Sequence, residues 1–122
     1  MKETKINLLD ENIYSFTTKN KLNVYMWVNK DKSNVYMQLH VGYGSIDTEF
    51  KIDNVKYTVP SGTAHYLEHL KFNTSEGDVT ALFSDLGCDS NAYTSTTETN
   101  YEVYANENIN EACKLLLNFV YD

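Results

Sequence analysis

Two histidines four residues apart, with a glutamate directly before the second, stand in the string HYLEH at residues 65–69. On an α-helix, positions i and i+4 lie about 40° apart around the axis, so His65 and His69 project from one face and can share a metal ion. Glu68, at i+3, lies about 60° to the other side of His65, within reach of a metal-bound water without being forced onto the metal. Zinc suits these donors. It lowers the pKa of a bound water toward about 7, and a neighbouring carboxylate can take the proton as the water attacks a carbonyl. The plainer reading is a surface helix with solvated histidines. With three histidines in 122 residues, the pattern arises by chance in roughly one shuffled sequence in two hundred.

The elements that must position these residues are legible in outline. Pro60 followed by Ser61-Gly62-Thr63 is a helix start, and Ala64, Leu67 and Leu70 fall at the three-residue spacing of one helix face. Upstream, residues 12–45 predict three strands, Ile13–Thr18, Leu22–Val28 and Asn34–Val41, joined by two lysine-bearing polar turns as an antiparallel meander. In the last of them Val35, Met37, Leu39 and Val41 alternate with Tyr36, Gln38 and His40, the period of a strand buried on one side. Residues 42–62 read as a polar, glycine-containing loop. A second helix is expected over Asp78–Leu86, with Asp78 as N-cap and Gly87 as stop. Two strands with a turn near Thr96–Glu98 follow. A closing amphipathic helix carries the stripe Ile109, Ala112, Cys113, Leu116, Phe119 and Val120. That helix runs to Asp122 without a capping residue, the mark of a chain cut from something longer.

Composition narrows the function. An apolar fraction of 42% and a charged fraction of 22% are ordinary for a globular protein. The net charge is −7 and every basic residue is lysine. Nucleic acid is therefore a poor partner, because phosphate binding needs clustered cations. No apolar run approaches the roughly 20 residues of a membrane span, and the opening residues lack a signal-peptide core, so no membrane partner and a cytoplasmic location are expected. Cys88 and Cys113 have no metal spacing and read as small, buried, reduced thiols.

Several strings resemble, in order, the N-terminal part of the pitrilysin/insulinase/mitochondrial-processing-peptidase family, M16, whose zinc motif is HxxEH. VGYGS at 41–45 resembles the strand end before the family's loop. SGTAHYLEHLKF resembles the lead into its zinc helix. DVTALFSDLGCDSNAYTSTTETNYEVYA resembles its helix, glycine and N-A-x-T-s strand. The resemblance covers residues 20–122. It implies an α+β fold, an antiparallel or mixed sheet with helices packed on one face, with residues 1–122 as the N-terminal part of one incomplete peptidase domain. It further implies His65 and His69 as zinc ligands, Glu68 as general base, and Asn91-Ala92 on an edge strand that receives a peptide substrate as an added strand.

The same resemblance implies a third zinc ligand, a glutamate roughly seventy to eighty residues beyond the motif, and hence past Asp122. Glu98, Glu102, Glu107 and Glu111 come too early. A second, catalytically silent half, in the same chain or in a partner subunit, is implied to enclose the substrate. Two classes of function follow: a zinc endopeptidase seen as its N-terminal piece and inactive alone, or a non-catalytic fold-mate acting as a scaffold or partner subunit. His40, on the polar face of its strand, is read as solvated or packed rather than as a zinc ligand.

Overall fold

A computed structural model describes residues 1–6, 11–74 and 77–121. They form two compact units, Met1–Ser33 and Asn34–Asp122. In the first, β1 (Lys2–Ile6), β2 (Glu11–Thr17) and β3 (Asn23–Trp27) make an antiparallel sheet in the order β1-β2-β3. The β2–β3 turn is closed by Thr18, whose amide donates to Leu22 O and whose hydroxyl accepts from Leu22 N, while Lys21 takes a positive φ of 65°. At the other end of the hairpin Glu11 accepts from Trp27 Nε1 at 2.6 Å and from Asn29 Nδ2 at 3.2 Å.

The second unit is built on the antiparallel sheet β4-β10-β9, with β4 at Val35–Val41, β9 at Cys88–Thr94 and β10 at Thr99–Ala105. Three helices, α1 (Thr63–Lys71), α2 (Val79–Asp85) and α3 (Ile109–Tyr121), pack on one face of it: α1 and α2 against β9, α3 against β10 and β4. The alternation expected in β4 holds. Leu39 is buried and Val35, Met37 and Val41 are partly covered, while Tyr36, Gln38 and His40 are exposed. Between sheet and helices lies a core of Val79, Phe83, Val103, Ala105, Ala112, Leu116 and Phe119. Phe119 is its hub, with ring centroids 5.4 Å from Phe72, 5.4 Å from Tyr101 and 5.9 Å from Phe83. Asp78 caps α2 by accepting from Thr80 N at 2.8 Å, and Gly87 follows with φ 73°. No described helix is long and apolar enough to cross a membrane.

Four expectations change. The three-strand meander divides: β2 pairs with β3, but β4 pairs with β10, a partner far along the chain. The loop at 42–62 contains a hairpin, β5 (Glu49–Ile52) and β6 (Val55–Thr58), turned by Asp53 and Asn54 at φ 49° and 65°. Two consecutive residues at positive φ make the two-residue turn that Asp and Asn favour, a signal present in the string IDNV. Cys113 is exposed, whereas Cys88 is buried. On α1, finally, Leu67 and Leu70 are exposed and the covered face is Ala64 with Glu68. β1 (Lys2–Ile6) and the short pair β7 (Asn73–Thr74) and β8 (Gly77–Asp78) are further elements that periodicity did not indicate.

The VGYGS string has a structural reason. A Cβ on Gly44 would sit 2.5 Å from the backbone of Thr96, Thr97 and Glu98, so only glycine lets this loop lie on the β9–β10 turn. Ser45 N donates to Ser95 O and Ile46 N to Thr96 O, each at 3.0 Å.

Candidate metal centre

Helix α1 starts at Gly62, which takes φ 90°, and Thr63 ties its first turn to Pro60 O through its hydroxyl at 2.7 Å. One turn on, His65 Nε2 and His69 Nε2 lie 3.0 Å apart, with ring centroids 4.7 Å apart. Both histidines are exposed. One ligand atom each from His65, Glu68 and His69 all fall within 4.8 Å of one another, a grouping among the described residues able to hold a metal ion. Two nitrogens on one tetrahedral zinc sit about 3.3 Å apart, so the rings need part by only about 0.3 Å. Paired neutral imidazoles are borderline-soft donors that suit zinc, and these two fit it.

Glu68 differs from its neighbours in being buried, at 7% exposure. A carboxylate in such a place needs a donor, and Thr94, the last residue of β9, supplies one: its hydroxyl donates to Glu68 Oε2 at 2.7 Å. Among the described residues Ser90 Oγ is the fully occluded side-chain polar atom without a partner. The Tyr101 phenol is pushed up from its ordinary pKa by burial and then by the Glu68 charge. Thr94 was not singled out from sequence. The period-2 alternation of β9 could have found it, since Cys88, Ser90, Ala92 and Thr94 share the covered face.

Asn91 is exposed and Ala92 partly covered, both on β9. That strand hydrogen-bonds to β10 on one side and pairs with no other described strand. Its position beside α1 brings the proposed substrate edge and the histidine helix into one place. His40 stands outside the cluster. Its Nδ1 lies 3.3 Å from Asn100 Oδ1 and 3.3 Å from Glu98 Oε2, while Asn100 Nδ2 donates to Glu98 Oε1 at 2.9 Å. Glu102 accepts from Tyr36 and Gln38. Among the described residues no other acidic group joins the histidines, so the expected third ligand is not supplied by Glu98, Glu102, Glu107 or Glu111.

Comparison with known proteins shows the family. The family model Insulinase (Peptidase family M16) matches residues 24–122. The chain belongs to peptidase family M16. Over 82 residues it is 42% identical to an uncharacterized zinc protease, YmfH, of Bacillus subtilis, an alignment spanning 66% of this chain and 19% of that protein. Its fold matches the crystal structure of a protein described as an M16-like peptidase from Alicyclobacillus acidocaldarius, with a TM-score of 0.86 and 30% identity over 92% of this chain. The chain spans about a fifth of the Bacillus protein and 26% of the Alicyclobacillus chain. The M16 match includes the histidine helix α1, strand β9 and the closing helix α3.

Proposed function

We propose that residues 1–122 form the histidine-bearing N-terminal part of a zinc endopeptidase. The observation that carries this reading is the juxtaposition of His65 Nε2 and His69 Nε2 at 3.0 Å beside a buried, hydrogen-bonded Glu68. His65 and His69 would hold zinc together with a glutamate beyond residue 122. When bound there, zinc would supply Lewis acidity toward water and a substrate carbonyl. Glu68 accepts the water's proton at the oxygen left free by Thr94 and returns it to the departing amine. The free edge of β9 receives an extended peptide as an added strand; backbone pairing at Asn91 and Ala92 gives grip on almost any sequence. A second M16-type half encloses the peptide.

Zinc titration tests the ligand assignment. Two histidines without an anionic third ligand lose several kcal/mol of binding, which is about thousandfold or more in affinity. Residues 1–122 alone are expected to bind zinc weakly and to cleave no fluorogenic peptide. The longer protein should bind it at least about a thousandfold more tightly, and His65→Ala should abolish that gain. Sub-nanomolar 1:1 binding by residues 1–122 would contradict a ligand beyond Asp122.

A further inference from the structure

The Thr94 hydroxyl donates to Glu68 Oε2, and a second hydroxyl lies behind it. Thr94 and Thr99 are cross-strand partners on β9 and β10. The Thr99 hydroxyl, itself buried, donates to Tyr43 O at 2.9 Å. Tyr43 lies in the loop that Gly44 seats on the β9–β10 turn. The two hydroxyl oxygens stand 3.4 Å apart, long for an O–H···O bond, whereas Thr94 Oγ1 to Glu68 Oε2 is 2.7 Å, the length of a well-formed one. Each threonine has one hydroxyl proton. With that of Thr99 committed to a backbone carbonyl, that of Thr94 goes to the carboxylate.

We infer that Thr94 is the positioning residue for Glu68: its hydroxyl fixes Oε2 against β9 and so presents the other carboxylate oxygen for proton transfer. This rests on Glu68 being the base of the proposed peptidase. A carboxylate held at one oxygen cannot rotate away from its task, and a general base works only within hydrogen-bond reach of the proton it takes. The same strand carries Asn91 and Ala92, three and two residues earlier. A peptide paired along β9 is therefore registered against the strand that also holds the base.

Two substitutions separate positioning from packing. Thr94→Val keeps the shape and removes the proton. Thr94→Ser keeps the proton and removes a methyl. In the full-length, zinc-loaded protein Thr94→Val should lower kcat about 10- to 100-fold, the effect of losing a hydrogen bond to a charged group, with KM and zinc affinity within about threefold of the parent. Thr94→Ser should stay within about threefold in all three. Crystal structures of the metal-free variants give a second readout, independent of turnover. Glu68 should leave its present rotamer in Thr94→Val and keep it in Thr94→Ser. Unchanged kcat in Thr94→Val with Glu68 in place would overturn the inference, as would an equal loss in both variants. A parent protein that cleaves no peptide would instead overturn the peptidase reading, and the Glu68 rotamers would still decide what Thr94 does.

Discussion

Helices α1 and α3 pack against the same sheet, yet they bury opposite kinds of side chain. α3 turns Ala112, Leu116 and Phe119 inward and leaves Leu117 and Cys113 at the surface. α1 turns Ala64 and the carboxylate of Glu68 inward, and leaves Tyr66, Leu67 and Leu70 to solvent. An apolar stripe is stabilised by removing hydrocarbon from water. A buried carboxylate costs free energy unless donors surround it. The difference between the two helices is that one gains stability from the side chains it buries, while the other buries a charge, as the proposed base would require.

The sharpest way to break this contrast is in α3. Phe119→Ala removes the ring shared by Phe72, Phe83 and Tyr101 and should cost about 3–5 kcal/mol in denaturant unfolding. A loss below about 1 kcal/mol would mean that α3 is not the anchor described.

Glu68→Met should act in the opposite sense. Replacing a buried charge by an apolar chain of similar size stabilises by about 1 kcal/mol, with any peptidase activity gone. The Thr94 hydroxyl, released from Oε2, can turn toward Thr99 Oγ1, now 3.4 Å away. Unfolding midpoints of parent and variant at equal zinc-free conditions check this, and marked destabilisation would show that Glu68 serves the fold.

Smaller effects sharpen the comparison. Leu67→Gln and Leu70→Gln lie on the exposed face of α1 and should change stability by less than about 0.5 kcal/mol, against 2–5 kcal/mol for Leu116→Ala on α3. Thiol labelling distinguishes the faces of α3 and β9. Burial, then Glu107 and Asp89, pushes the Cys88 thiol up, so less of it is thiolate at any given pH. Exposed Cys113 should react with a maleimide in the native protein while Cys88 reacts only on unfolding.

What could be read in advance follows the same division. The α3 stripe, the alternation of β4 and the β9–β10 hairpin were legible, because in each a local period records one buried face. Cys113 shows the limit, since a small apolar residue on the stripe's border gives no sign of its exposure. The meander is the default expectation because strands adjacent in sequence usually pair, and β4 instead takes β10. On α1 the leucines point to the wrong buried face, for periodicity assumes that burial follows hydrophobicity, and here Glu68 is covered beside Ala64 while Leu67 and Leu70 are exposed. The HYLEH spacing itself was legible, since i and i+4 geometry is fixed by the helix. The alternation of β9 puts Thr94 on the covered face, but not its contact across tertiary structure with a residue 26 positions earlier.

The central claim is that Glu68 is a base set beside a histidine zinc site. Peptide hydrolysis by the full-length protein and its Glu68→Gln variant, each loaded with zinc and assayed for bound metal, tests it most directly. The account predicts equal zinc content, little change in KM and a kcat lowered by at least about a thousandfold, within the range expected when a general base and its charge are both lost. A variant that retains zinc and turns over peptide at the parent rate would contradict it.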